Sequence, residues 1–210
     1  MTKESKTDPN SDPLVIIVDD DEGVREGLRD LLGSAHIETL VFESTASLLS
    51  AALPDRPGCL VLDVRLPGLS GLELQVKMTE MGSEVPIIFM TGHGDVPMSV
   101  KAMKAGALDF LTKPFRDQDM IDAVENAISR DRARRLLGEG LSEIKALAGT
   151  LTPRETEVMA EVVKGLLNKQ IAFNLGISEI TVKIHRGNVM RKMRATSVAD
   201  LVRKTEAIKI

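Results

Sequence analysis

"CLVLDVRLPGLSG" (residues 59–71) runs through four apolar positions and then places a carboxylate, Asp63, where a buried strand should end, with Pro67 and Gly71 close behind. An acid at the tip of an oily strand makes sense in an open parallel sheet, where ligands bind beyond the carboxyl ends of the strands. The flanking sequence supplies the rest of such a sheet. "LVIIV" (14–18), "TLVF" (39–42), "VPIIFM" (85–90) and "LDFLT" (108–112) are short and rich in β-branched or large apolar residues, as buried parallel strands are. Between them the apolar period changes to that of helices: Val24, Leu28, Leu31 and Leu32; Leu48, Leu49 and Leu53 after Ser44; Leu72, Leu74, Val76 and Met78; Met98, Met103 and Ala107; Met120, Ile121, Val124 and Ile128. Five alternations of strand and helix predict an α/β domain with a doubly wound, five-stranded parallel sheet covered by helices on both faces.

A chain of 210 residues, 43% hydrophobic and 28% charged, accommodates two modest domains. No run approaches the roughly 18 apolar residues of a membrane span. The opening "MTKESKTDPNSDP" lacks the apolar core of a signal peptide. The expectation is a disordered lead-in (1–12) to a cytoplasmic protein that does not engage membranes. A single cysteine, Cys59, excludes an internal disulfide, and its apolar run marks it as core. Charge divides the chain more sharply. Residues 1–125 carry 11 basic and 22 acidic side chains, a balance of -11, whereas residues 126–210 carry 16 and 9, a balance of +7. An acidic half joined to a basic half points to a nucleic-acid-binding module attached to something that is not one.

The polar residues at the strand ends form a constellation. The first strand leads into Asp19 and Asp20, the third into Asp63, the fourth into Thr91 and the fifth into Lys113-Pro114. Carboxylates converging in one cleft repel unless a hard cation sits among them, and Mg²⁺ takes one or two carboxylates, keeps waters and accepts phosphate oxygen. Lys113 and Thr91 then suit an incoming phosphoryl group as counter-charge and hydrogen-bond donor. Asp63 is the candidate nucleophile, because carboxylates form aspartyl phosphates. Asp21 reads as a helix cap instead.

"IIVDDDEGVR" (16–25), "VLDVRLPGLSG" (61–71), "IIFMTGHGD" (87–95) and "AGALDFLTKPF" (105–115) together resemble the receiver domain of two-component response regulators, in order and spacing. The resemblance implies that Asp63 accepts a phosphoryl group from a sensor histidine kinase. It further implies that Asp20 and Asp63 ligate Mg²⁺ (or Mn²⁺) directly, with Asp19 assisting through water and the carbonyl of Arg65 completing the protein ligands. A cis Lys113–Pro114 bond and a switch pair of Thr91 and Phe110 belong to the same implication. A Mg²⁺-dependent phosphohydrolase with an aspartyl nucleophile is the enzymatic rival, but such enzymes commonly need an acid two residues after the nucleophile, and Arg65 stands there. The reading is a switch, not an enzyme. His93 reads as a loop residue beside the cleft.

In the connector, "NAISRDRARRLLGEGLSEIKALAG" (126–149), Gly138 and Gly140 interrupt the helical pattern and predict a hinge or helix end. Arg132, Arg134 and Arg135 read as a solvated face. The basic half then opens on a capping box, Thr152 with Glu155, and Pro153 at the first helical position. "NKQIAFNLGIS" gives a short second helix ending at Gly176, and Ser178 starts a third, "EITVKIHRGNVMRKM", basic on one side and apolar at Val182, Val189 and Met193. Ser197, with Asp200 three residues on, caps a fourth. A short helix, a glycine turn and a basic helix make a helix-turn-helix.

"LTPRETEV", "NKQIA", "LGIS" and "TVKIHRGNVMRKM" resemble the LuxR-type DNA-binding domain, and with a receiver the whole is similar to the FixJ and NarL group of regulators. By that resemblance Thr181, Lys183, Ile184, His185 and Arg186 face DNA; by charge, Lys169 and Lys192 are phosphate contacts. Gly187 departs from relatives that carry a base-reading lysine there. The domains expected are a receiver (13–128), a linker (129–149) and a DNA-binding domain (150–210). The function expected is a phosphorylation-controlled transcription factor that dimerises on phosphorylation, binds double-stranded promoter DNA and engages RNA polymerase. The competing readings are a phosphorelay shuttle whose basic tail binds something else, and a phosphorylation-independent regulator.

Overall fold

Each apolar run of the acidic half becomes a strand in the computed structural model, which describes residues 12–92 and 96–209. The lead-in before Asp12 and the loop residue His93 lie outside the described residues. In chain order the elements are β1 (Leu14–Val18), α1 (Glu22–Ser34), β2 (Glu38–Phe42), α2 (Thr45–Ser50), β3 (Gly58–Asp63), α3 (Gly71–Glu80), β4 (Ile87–Thr91), α4 (Val96–Lys104), β5 (Asp109–Thr112) and α5 (Asp117–Ala148). The five strands pair in parallel in the order β2-β1-β3-β4-β5, so the order reverses beside β1, where β1 and β3 open a crevice at their carboxyl ends.

Successive residues of a strand point to opposite faces, and both faces here are buried. Val15, Ile17, Cys59, Val61, Ile88 and Met90 pack with Leu28 and Leu32 of α1 and Met120, Val124 and Ile128 of α5. Leu60, Leu62, Ile87 and Phe89 pack on the other face with Leu48 of α2, Leu74 of α3 and Ala102 of α4. Cys59 sits in this core, and burial, with Asp131 adding to it, pushes its thiol up to about 12. The thiolate is suppressed, and with it the reactivity that a metal ligand or redox thiol requires.

Four apolar expectations fall outside the core. Leu49 is exposed on α2 and Leu53 lies beyond its end, and Val76 and Met103 are 51% and 45% exposed. In α3 the buried positions are Gly71, Leu74 and Gln75, because packing onto the sheet turns the Val76 side of the helix to solvent. The connector differs more. No helix end occurs at Gly138 or Gly140, and α5 runs unbroken from Asp117 to Ala148. Each glycine costs about 1 kcal/mol against alanine in a helix interior. The backbone ladder on either side outweighs that cost. Nor are the connector arginines a free solvated face: Arg134 binds Asp131 and Glu84, and Arg135 binds Asp131 and Asp55.

The chain divides into two compact units, one up to Leu136 and one from Leu137. In the second, α6 (Pro153–Val163), α7 (Asn168–Leu175), α8 (Glu179–Lys192) and α9 (Val198–Ala207) enclose Val158, Met159, Val162, Ile171, Val182, Val189, Met193 and Leu201. The capping box forms as the sequence predicts: Thr152 accepts from the Glu155 amide at 3.3 Å and Glu155 accepts from the Thr152 amide at 2.8 Å. Ser178 and Ser197 cap α8 and α9. Gly176 closes α7 at φ 64°, a left-handed conformation that favours glycine.

Glu155 has a second partner that the sequence did not suggest. Its carboxylate accepts from Lys192 Nζ at 2.5 Å, and Lys192 also donates to the Thr150 carbonyl at 3.0 Å. Lys192, read from its charge as a phosphate contact, thus also closes α8 onto the start of α6. The Lys192 hydrogen bond, followed by the Thr152 amide, holds the Glu155 carboxyl down from its ordinary 4.5 to about 2. A depressed carboxyl stabilises the folded state above its unfolded pKa, and that contribution is lost as pH falls through the folded value. Protection of α6 and α8 against hydrogen exchange, taken relative to the intrinsic amide rate at each pH, is therefore expected to fall between about pH 4.5 and pH 2. In Glu155→Gln that protection should be lower at neutral pH, and its acid dependence should flatten. An unchanged acid limb in the variant would refute the assignment.

Candidate functional site

The carboxyl ends of the strands gather the predicted cleft. Asp63 is the last residue of β3 and Thr91 the last of β4, while Asp19 directly follows β1 and Lys113 directly follows β5. Carboxylate oxygens of Asp19, Asp20 and Asp63 all lie within 4.8 Å of one another. Lys113 Nζ donates to Asp19 Oδ2 at 2.5 Å and to Asp63 Oδ2 at 2.7 Å. The amides of Asp21 and Arg65 donate to the remaining oxygens, Asp19 Oδ1 at 3.0 Å and Asp63 Oδ1 at 2.8 Å. Asp19 and Asp63 are buried, whereas Asp20 and Arg65 are exposed.

The electrostatics follow from this arrangement. Burial pushes the Asp19 carboxyl up from its ordinary value, against the opposing pull of the Lys113 hydrogen bond. Burial likewise disfavours the Lys113 charge, but its hydrogen bonds to Asp19 and Asp63 outweigh it and raise the ammonium pKa. Among the described residues no ion pair to Asp20 occurs, so one ammonium balances two of three clustered carboxylates. The cleft keeps an excess of negative charge on hard oxygen donors, which is the donor set of a Mg²⁺ site.

Neighbouring residues fix the cleft's shape. Asp21 caps α1 by accepting from the Val24 amide at 3.2 Å, as expected. The peptide between Lys113 and Pro114 is cis, and the Lys113 amide donates to the Thr91 carbonyl at 2.7 Å. Thr91 is fully buried. Phe110 on β5 lies against Phe89 with ring centroids 6.4 Å apart and planes tilted by 45°. Gly71 begins α3 so close beneath the strand end that a Cβ there would stand 2.3 Å from the Asp63 carbonyl oxygen. The glycine of the opening motif lets α3 pack directly under the acid.

In the second unit, α7, the turn at Gly176 and α8 form the helix-turn-helix. Lys169 and Lys183 are exposed, and Thr181, His185 and Arg186 are half-buried. Arg186 donates to Asn168 Oδ1 at 2.9 Å, a positioning contact absent from the sequence reading. His185 turns Nδ1 inward, where it is buried without a hydrogen-bond partner. The outward line of α8 carries Ile184, as expected, and also Ile180, which the sequence reading passed over. A branched apolar residue four positions before Ile184, on the side away from Val182 and Val189, was the available signal.

Comparison with known proteins agrees with both units. The family described as "Response regulator receiver domain" matches residues 15–125, and "Bacterial regulatory proteins, luxR family" matches residues 149–205. The chain is 51% identical over 204 residues to Nodulation protein W of Bradyrhizobium diazoefficiens, covering 97% of this chain and 90% of that protein. It is 47% identical over 196 residues to the transcriptional regulatory protein FixJ of Azorhizobium caulinodans, covering 93% and 92%. The low-resolution structure of response regulator StyR superposes with a TM-score of 0.86 at 47% identity, covering 93% of this chain and 99% of that one.

Proposed function

Because this chain belongs to the response regulators, with a receiver domain followed by a LuxR-type DNA-binding domain, we propose that Asp63 is its phosphoacceptor and that phosphorylation controls DNA binding by the helix-turn-helix. Members of this family are transcriptional regulators, not enzymes, and the pairing of domains implies a kinase and DNA as partners. No helix among the described residues is long and apolar enough to cross a membrane. The observation that carries the proposal is the cluster of Asp19, Asp20 and Asp63 oxygens within 4.8 Å, bridged by Lys113 at the ends of successive strands.

The carboxylates fit Mg²⁺: three hard anionic ligands converge and a single ammonium leaves them under-neutralised. Asp20 and Asp63 would hold the ion, with Asp19 acting through water and the Arg65 carbonyl completing the set. A bound Mg²⁺ supplies positive charge that offsets the oxygens of the phosphoryl group. The rest belongs to the chain's own residues. A carboxylate oxygen of Asp63 attacks the phosphorus of a phosphohistidine on the kinase; the O–P bond forms, the P–N bond breaks, and the released imidazole takes its proton from solvent. Lys113 passes from the Asp63 carboxylate to a phosphoryl oxygen, and the Thr91 hydroxyl donates to another. No acid or base stands two residues beyond Asp63, so the acyl phosphate persists as a signal. Phe110, which lies against Phe89 two residues before Thr91 on β4, moves with Thr91 and alters the face of α4, β5 and α5, through which two copies pair. Two half-site contacts then become one bivalent contact at high effective concentration, and the bound dimer engages RNA polymerase.

The test is capture of genomic DNA fragments at fixed salt, with and without acetyl phosphate and Mg²⁺, by wild type and Asp63→Asn. The expected result is tighter binding to a roughly two-fold symmetric site with phosphodonor, a gain absent in Asp63→Asn. Binding that ignores the phosphodonor in both proteins would overturn control by this cleft.

A further inference from the structure

Between residues 150 and 209 the strongly exposed large apolar side chains are Leu167, Phe173, Ile180 and Ile184, all within the helix-turn-helix or at its edge. Two of them share one line. At 3.6 residues per turn, Ile180, Ile184, Gly187 and Arg191 follow one another along a single stripe of α8, opposite the buried Val182, Val189 and Met193. Ile180 is 74% exposed and Ile184 is 60% exposed. Both are β-branched, and so stiff at χ1, and present fixed methyl surfaces to whatever meets the helix.

Gly187 continues the stripe with no side chain. A Cβ there would find nothing within 4 Å, so nothing in the domain's own fold requires glycine. A glycine in a helix interior weakens the helix. Its absence of a side chain leaves room on the outward side only. The stripe's surroundings are cationic, with Lys183 beside it and Arg191 at its end, which suits a polyanion better than an apolar protein surface.

We propose that Ile180 and Ile184 read thymine C5-methyl groups in the major groove, and that Gly187 lets the backbone of α8 approach the base edges between them and Arg191. The inference rests on the DNA-binding reading of this domain and adds the base feature that is read. In the major groove the thymine methyl is the apolar element of the code, and the first turns of a recognition helix are where base edges are met. Arg191, two turns beyond Ile184, would then meet a backbone phosphate.

The experiment uses the full chain and synthetic duplexes of a captured site in which each thymine is replaced in turn by uracil, which deletes the methyl alone. Burying one methyl is worth about fourfold in affinity, so wild type should lose about that much at one or two positions per half-site. At those positions Ile180→Ala or Ile184→Ala should bind weakly and be indifferent to the replacement. Gly187→Ala should raise thermal stability while lowering affinity about fivefold or more, the scale of one inserted methyl in a filled contact. Losses that are equal in wild type and variants, or no loss on any replacement, would overturn methyl readout while leaving DNA binding intact. Failure to capture any preferred site would overturn the DNA-binding reading and this inference with it.

Discussion

Asp131→Ala is expected to destabilise the receiver domain by about 3–5 kcal/mol, the cost of breaking a buried ion pair by deleting one partner. The Asp131 side chain is fully buried in α5. Its Oδ2 accepts from the Gly58 amide at 3.1 Å and from Arg135 Nε at 2.7 Å, and its Oδ1 accepts from Arg134 at 2.6 Å. Removal leaves the first amide of β3 without its partner and Arg135, only 12% exposed, without its buried counter-charge. Arg134 and Arg135 keep outer partners, Glu84 and Asp55, but both of those acids are mostly exposed. The loss appears in chemical denaturation as an earlier receiver transition, and in hydrogen exchange as lost protection at Gly58 and its β3 neighbours, while α6 to α9 keep theirs. A variant that unfolds with wild-type stability would show that the network is dispensable.

Asp131 also marks where sequence reading stops. The strands were legible because each is a short, continuous apolar run bounded by polar residues, the pattern of a parallel strand buried on both faces. The cleft was legible for a related reason: an α/β sheet puts strand ends together, so Asp19, Asp63, Thr91 and Lys113 needed only their positions after those runs. Asp131 has no such frame. It sits among Arg130, Arg132, Arg134 and Arg135, and its value comes from the start of β3, 73 residues earlier in the chain. The sequence reading placed Arg132, Arg134 and Arg135 on a solvated face, whereas Arg134 and Arg135 are committed to Asp131. The Lys192 ion pair was missed for the same reason, its partner Glu155 lying 37 residues away. Gly138 and Gly140 show the opposite error, where a local propensity was allowed to end a helix that its neighbours sustain.

Gly71→Ala is expected to slow phosphorylation of Asp63 about a hundredfold while the protein remains folded. The added Cβ would meet the Asp63 carbonyl oxygen at 2.3 Å and Leu62 Cγ at 3.1 Å, so strand end and helix start must separate by roughly an ångström. Neither side yields easily. The Gly71 amide is hydrogen-bonded to the Val64 carbonyl at 3.1 Å, and Ser70 and Glu73 lock the first turn of α3 in a capping box. The strain is on the scale of 1–3 kcal/mol for overpacking, felt as a lower melting temperature. Its effect on chemistry is larger, because Asp63 is aimed by two contacts of 2.7 and 2.8 Å, to Lys113 and the Arg65 amide, and a misplacement of about 1 Å can cost a hundredfold in rate. Gly68→Ala supplies the control. That residue lies in the same loop at φ 79° with no neighbour near a Cβ, so alanine there strains the backbone without pressing on Asp63. Initial rates with acetyl phosphate and Mg²⁺ should fall in Gly71→Ala far more than in Gly68→Ala at comparable loss of stability. Equal rates in the two variants would mean that the small residue after the acid serves the loop's shape and not the position of the phosphoacceptor.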